Sequence, residues 1–147
     1  MSRLERLQTV EGVMGDRARD AARALAEAGA RLATERERLA QLQRFRDDYR
    51  NQRDGGQAAM DAFRLRDFNA FMSRLDDAVR QQEERIAELE QQERKARAHW
   101  EHEQRRADAL GKLVGQECDQ QAREIRRQEQ SQADELAQRM FTHRHKP

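Results

Sequence analysis

A seven-residue apolar repeat runs without interruption through the first third of the chain. It consists of two interleaved series of positions, one starting at Leu4 and one at Leu7, and eleven of the fourteen positions are apolar. A repeat of 3.5 residues sustained over this length is typical of a helix that supercoils against a partner helix. The positions of the first series are Leu4, Glu11, Ala18, Leu25, Leu32, Leu39 and Arg46, and those of the second are Leu7, Met14, Ala21, Ala28, Glu35, Leu42 and Tyr49.

The start of this helix is marked by a local signal. Ser2 and Glu5 have the spacing of a capping box, in which the serine side chain bonds the third backbone N–H of a helix. We therefore predict a helix from residue 3 to residue 54. Gly12, Gly15 and Gly29 weaken that helix relative to alanine, and we expect the partner helix to approach closely at these small residues.

A second repeat begins at Phe68 and continues to Val114. It predicts a second helix, from residue 62 to residue 140, followed by a basic tail at 141–147. Beyond Val114 the apolar positions become sparse and their spacing drifts from the heptad, as in a stutter. The positions of the second repeat are Phe68, Met72, Leu75, Val79, Gln82, Ile86, Leu89, Glu93, Ala96, Trp100, Glu103, Ala107, Leu110 and Val114.

The segment between the two repeats holds the only Gly-Gly pair in the chain, Gly55 and Gly56. Glycine at this point provides turn and helix-ending chemistry, and Asp61 or Asp67 can cap the following helix. We predict an all-α fold in which two long helices form an antiparallel coiled-coil hairpin with its turn at 54–62, as a single domain of residues 1–147. A parallel homodimer with two successive coiled coils is the alternative.

The two predicted helices differ in length. In a hairpin that turns at 54–62, Leu4 lies opposite roughly residues 108–113, at 1.5 Å per residue along each helix. The rest of the second helix then overhangs without a partner. A lone helix with a weak apolar seam is marginal in water, so we expect the overhang to become ordered on a partner or to fray.

Charge and composition exclude several classes of function. The 29 basic residues are balanced by 28 acidic ones, which is not expected of a general nucleic-acid binder. No stretch of apolar residues is long enough to insert into a membrane, and no signal peptide opens the chain. The single cysteine, Cys118, cannot form an internal disulfide, as suits a reducing compartment.

The sequence offers no catalytic, cofactor or metal site. It has no Gly-rich phosphate loop, nucleophile motif or cleft-forming carboxylate pair. His99 and His102 flank Trp100, and His143 and His145 lie near the end, but neither pair provides enough ligands for zinc. We therefore expect a protein that is not an enzyme and that needs no cofactor.

Two segments have apolar residues outside the repeat. The first is "FRLRDFNAFMSRL" at 63–75, where Phe71, like Ala78 just beyond the segment, lies on a face next to the seam. It is either local packing beneath the turn or an exposed hot spot for another protein. The second is the tail "RMFTHRHKP", with Met140 and Phe141, which is either a solvated terminus or a contact for a partner.

The ordered set of segments resembles the FliJ family, the small coiled-coil component of the bacterial flagellar type III export apparatus. The resemblance extends over nearly the whole chain. The segments that carry it are, in order, "RDDYRNQ", "FNAFMSRLDDAVRQQEERIAEL", the isolated Trp100 and "DELAQRMFTHR". The resemblance implies a coiled coil similar to the central stalk of rotary ATP synthases. It also implies roles in flagellum biogenesis, motility and chemotaxis.

The resemblance further implies partners and a location. The partners are the hexameric flagellar export ATPase (FliI), the export-gate membrane protein (FlhA) and export chaperones. The location is the cytoplasm, peripheral to the cytoplasmic face of the inner membrane, and the isolated chain is expected to be a monomer. In the family the gate contact maps to Phe71, Leu75, Ala78 and Gln82, where a histidine is expected at the last position. For the ATPase contact we select Leu110, Val114, Ile125, Leu136 and Met140.

Two alternatives to this function stay open at the level of sequence. One is a homodimeric coiled-coil scaffold, which a measured mass well above 17 kDa would favour. The other is the equivalent stalk protein of a virulence type III secretion system, which shares the same physical features.

Overall fold

The computed structural model describes residues 1–54 and 62–144, which form two helices. Helix α1 spans Arg3–Asp54 and helix α2 spans Ala62–Arg144, with 52 and 83 residues respectively. The turn predicted at 54–62 lies largely outside the described residues, as does the possible cap Asp61. Helix α2 continues beyond the predicted end at residue 140, so residues 141–144 of the predicted tail are helical.

The amino terminus of α1 is capped by a serine. The Ser2 hydroxyl oxygen accepts a hydrogen bond from the Glu5 backbone N–H at 3.1 Å, and the Ser2 carbonyl accepts one from Arg6 N–H at 3.1 Å. The Glu5 carboxylate also lies in the first turn, where a negative charge complements the helix dipole. Local chemistry therefore fixes where the first helix begins.

The chain divides into two compact units, and the larger block of packing lies in the unit formed by residues 19–101. There α1 and α2 run antiparallel, because Glu35 contacts Gln82 while Tyr49, farther along α1, contacts the earlier residue Phe68. The centre of this unit is Leu32, which is only 2% exposed and packs with Ile86 and Leu89. This packing confirms the predicted hairpin and shows that α1 finds its partner within the same chain.

The other unit comprises residues 1–18 and 102–147. Its helices also run antiparallel: Arg3 Nε lies 3.8 Å from Glu117 Oε2, and Glu11 Oε2 lies 3.6 Å from the place a Cβ would take at Gly111. Paired structure thus reaches residue 117, slightly beyond the predicted limit of 108–113. Every residue from 118 to 144 is exposed, and we call this segment the overhang.

The repeat pattern predicts burial closely. All fourteen positions from Leu4 to Tyr49 are buried or half-buried, and so are all fourteen from Phe68 to Val114. This includes the polar members Glu35 and Glu103, which are buried. The apolar positions beyond Val114, by contrast, are exposed, as their loss of heptad spacing indicates.

Two predictions about small features are wrong. At Gly12 and Gly29 an added Cβ would meet no neighbouring atom within 4 Å, so no partner helix approaches closely there. Asp67 lies inside α2 and caps nothing, since that helix already includes Ala62. Glycine in α1 therefore does not indicate close helix packing at these two positions.

Neither described helix contains a stretch long and apolar enough to cross a membrane.

Candidate protein-binding surfaces

Four aromatic rings from both helices meet near the turn end of the hairpin. Tyr49 lies at the centre of this aromatic cluster, with its ring centroid 4.8 Å from that of Phe71 and 5.7 Å from that of Phe68. Phe45 joins from α1, 5.8 Å from Tyr49 and 6.3 Å from Phe71 in an edge-to-face contact. Edge-to-face and offset pairs of this kind add stability beyond area burial. The guanidinium of Arg53 lies over the Phe68 ring at 5.2 Å.

The rings differ in what they offer to a partner. Phe68 is buried in the seam with Met72 and Leu75, whereas Phe71 packs against that group and is half-buried. Phe45 is 49% exposed. An apolar surface built from half-exposed aromatic rings is a typical hot spot, because the rings are already held rigid before a partner arrives.

The cluster includes one residue that sequence reasoning missed. Phe45 lies outside the α1 heptad series, and only Phe71 on α2 was selected. The available signal was the spacing: Phe45 precedes the seam residue Tyr49 by four positions, so both rings lie on neighbouring parts of one helix face. The contact between Phe45 and Phe71, however, depends on the register between the two helices.

The four residues selected for the gate contact lie along α2 but not all in the same environment. Phe71 and Ala78 are half-buried and border solvent. Leu75 is buried against Phe68 and Met72, so it mainly holds α2 in the seam and offers little surface to a partner. Gln82 is half-buried and its amide is engaged by α1.

A polar cluster surrounds Glu35 inside the apolar seam. Gln82 Nε2 donates hydrogen bonds to Glu35 Oε2 at 2.6 Å and to the Glu35 carbonyl oxygen at 2.9 Å. Arg38 Nη1 donates to Glu35 Oε1 at 2.9 Å, and Arg85 Nε lies 3.6 Å from that oxygen. The Gln82 hydrogen bond, helped by Arg38 and Arg85, lowers the pKa of Glu35 below its ordinary value of 4.5, although burial acts in the opposite direction. At neutral pH the carboxylate is therefore ionised, and both of its oxygens accept hydrogen bonds.

The five residues selected for the ATPase contact separate into two groups. Leu110 is half-buried and Val114 is buried in the seam, where α2 still packs against α1. Ile125, Leu136 and Met140 lie on the overhang and are 55%, 58% and 54% exposed. The second group is thus available to a partner and the first is not.

Most of the large exposed apolar residues of the overhang lie on one face, and Phe141, which is 64% exposed, lies off it. Leu136 follows Ile125 by eleven residues, about three turns of helix, and Met140 follows Leu136 by about one turn. Cys118 and Ala122 precede Ile125 by seven and three residues and share its face. We call these five residues the overhang stripe. A partnerless stripe of this kind is expected to attract another helix or an apolar groove.

Neither surface has the composition of a catalytic or metal centre. Within residues 1–54 and 62–144, no group of three or more His, Cys, Asp and Glu residues is placed to hold a metal ion. The Glu35 cluster is a carboxylate neutralised by two arginines, which is a structural arrangement. Both surfaces can make apolar contacts with a partner, and charged side chains border each of them.

Comparisons with known proteins agree with these features. The chain matches the model of the family described as flagellar FliJ protein over residues 2–146. No curated protein and no solved structure matches it. Because the match covers almost every residue of an all-helical hairpin, the chain belongs to the FliJ family, a component of the flagellar protein export apparatus.

Proposed function

We propose that this chain is a non-catalytic connector of the flagellar export apparatus, which binds the export ATPase (FliI) and the export gate (FlhA) and escorts export chaperones. The observation that supports this role is the distribution of apolar surface. The seam positions through Val114 are taken up by packing of α1 on α2, and apolar side chains remain accessible at the aromatic cluster and on the overhang stripe. These two surfaces, one in each unit, are the contacts that we assign to partners.

The gate contact is assigned to the aromatic cluster. Phe71 is the anchor of this contact and Ala78 provides a small adjoining surface. Leu75 supports both residues from the seam, and Gln82 lies at the end of the contact farthest from the turn. Phe45 extends the contact onto α1, because its ring is half exposed and touches Phe71. The resulting surface is a rigid aromatic ridge, suited to an apolar segment of the gate protein.

The ATPase contact is assigned to the second helix. Ile125, Leu136 and Met140 form the accessible part, and Leu110 and Val114 hold the base of the overhang against α1. A helix that is unpaired in the free protein can become ordered when it enters a partner, at some cost in affinity. The protein acts in the cytoplasm, at the cytoplasmic face of the inner membrane where the gate lies.

The experiment compares Phe71→Ala with Met72→Ala. Binding to the soluble or linker part of the gate protein and thermal unfolding are measured for both variants. Loss of an aromatic anchor costs an interface about 2 kcal/mol or more, roughly thirtyfold in affinity. Phe71→Ala is expected to lose this affinity with a moderate loss of stability, and Met72→Ala, which leaves a cavity in the seam, is expected to lose mainly stability.

Phe63→Ala is the matched control, since Phe63 is an exposed aromatic residue on the same helix. It should change neither binding nor stability appreciably, whereas Phe45→Ala should weaken binding. If Phe71→Ala binds the gate protein at full strength, the gate assignment is wrong. If Phe71→Ala melts lower than Met72→Ala, Phe71 is mainly a core residue.

A further inference from the structure

The overhang stripe is nearly symmetric about its own centre. Ile125 and Leu136 lie at equal distances from the midpoint between residues 130 and 131, and Ala122 and Met140 do so to within one residue. If two overhangs lie antiparallel about this centre, Ile125 of one meets Leu136 of the other, and small Ala122 meets large Met140. Large residues facing small or branched ones fill a seam without voids. The same stripe therefore serves as both sides of a helix pair.

The charges beside the stripe support this arrangement. At 100° per residue, Asp119 and Arg144 lie on one flank of the stripe. In an antiparallel pair related by a two-fold axis, each flank faces the same flank of the second copy, so Asp119 lies near Arg144 twice. On the other flank Arg139 lies near Gln121, and Glu135 lies near Gln128, so no like charges face each other there.

A parallel pair of overhangs is less favourable. In a parallel pair, a residue on one flank of the first copy faces a residue on the opposite flank of the second copy. The facing residue is five positions later in the sequence. Arg139 then faces Arg144, which is a repulsion between like charges, and Asp119 loses its opposite charge. Charge therefore selects the antiparallel arrangement.

We propose that the overhang pairs with the overhang of a second copy of this chain, in an antiparallel, two-fold symmetric helix pair. The interface is isologous, so it closes at two copies and does not propagate into a fibre. Its apolar part comprises the Ala122, Ile125, Leu136 and Met140 side chains of each copy, while Glu129 and Gln132 meet at the centre. A seam with so few apolar residues makes a weak dimer, which leaves the dilute protein monomeric.

Self-pairing has a consequence for regulation. The overhang pair covers Ile125, Leu136 and Met140, which are exposed in the single chain. A second copy therefore shields an apolar surface while no other partner is bound. Any partner that takes the same face must displace the second copy, so the two associations compete.

The first test is sedimentation equilibrium of the full chain between about 5 µM and about 1 mM, a range that covers weak association. The mean mass should rise above 17.3 kDa with concentration. Leu136→Glu should remain monomeric throughout, because it places charges in the seam. Leu113→Glu changes a similarly exposed leucine (47%) off the stripe, and it should dimerise as the wild type does. A mass that stays constant in the wild type, or equal behaviour of the two variants, would overturn the proposal.

The second test is a charge exchange. Asp119→Arg should weaken self-association roughly three- to tenfold, since it creates two like-charge contacts in each dimer. Adding Arg144→Asp should restore it, because the opposite charges are then present with their positions exchanged. If the double variant associates more weakly than Asp119→Arg alone, the two residues do not face each other.

The third test uses the native cysteine. In the antiparallel pair the two Cys118 residues lie on the order of 40 Å apart, at 1.5 Å per residue, and cannot form a disulfide. Cys118 instead lies near residue 143 of the second copy. Under mild oxidation the wild type should stay free of disulfide dimers, His143→Cys should form them, and His143→Cys with Cys118→Ser should not. Efficient disulfide formation by the wild type would indicate a parallel pair and overturn the proposed geometry.

Discussion

Gln82 Nε2 reaches from α2 to two atoms of Glu35 on α1, the carboxylate oxygen at 2.6 Å and the backbone carbonyl oxygen at 2.9 Å. Both residues occupy heptad positions in a seam that is otherwise mainly apolar: Glu35 follows Leu32 by one seam position, and Gln82 precedes Ile86 by one. A shift of either helix by one heptad would leave the carboxylate against apolar side chains. A single polar pair in an apolar seam fixes register in this way.

Acid should weaken the hairpin through Glu35. Its pKa is lower in the folded chain than its ordinary value of 4.5, so the unfolded chain takes up the proton first as the pH falls. The stabilisation is complete above 4.5 and is lost as the pH falls below that value toward the folded pKa. We expect the melting temperature of the wild type to decrease in this window.

The variant Glu35→Gln isolates this contribution from that of other carboxylates. It keeps the side-chain size but cannot titrate, so its melting temperature should be lower than that of the wild type at neutral pH. The gap should narrow as the pH falls below 4.5. A gap that stays constant from neutral to acid pH would show that the Glu35 charge does not stabilise the fold.

Leu32→Ala should be strongly destabilising. Leu32 is 2% exposed and packs against Ile86 and Leu89 from α2, so truncation removes buried methyl groups and leaves a cavity. The expected loss is about 2 to 5 kcal/mol in the free energy of unfolding, measured by urea denaturation. Leu136→Ala, on the exposed overhang, is the control and should change the unfolding free energy by less than about 0.5 kcal/mol.

Gly12→Ala and Gly29→Ala should stabilise the protein. Both glycines lie inside α1, and an added methyl group would meet no neighbouring atom within 4 Å. Alanine lowers the conformational entropy of the unfolded chain and has the better helix propensity, worth about 0.5 to 1 kcal/mol at each site. A lower melting temperature for either variant would mean that the partner helix approaches more closely than the structure shows.

The overhang should exchange its backbone amide protons quickly in the dilute, monomeric protein. Residues 118–144 are exposed and have no helix packed against them, so local unfolding costs little there. At about 5 µM, far below the concentration at which the proposed weak dimer forms, the overhang amides should exchange faster than those of Ile86 and Leu89. Protection of the overhang equal to that of these seam positions would contradict the prediction.

Helix type, helix start and seam positions could be read from the sequence because they depend on local chemistry. The heptad spacing specifies which residues of α1 lie on one face, and Ser2 specifies where that helix begins. The gap in the pattern after Val114 similarly indicates where pairing ends. These signals act over a few turns, so no knowledge of the partner helix is needed.

The tertiary structure decided everything that depends on register between residues far apart in the chain. It placed Gln82 on Glu35, and it brought Phe45 to Phe71. It also left space beside Gly12 and Gly29. A heptad pattern defines a face but not which residue lies opposite, because a shift of seven residues presents the same face. Only the packing of α1 against α2, with its polar pair in place, selects one register.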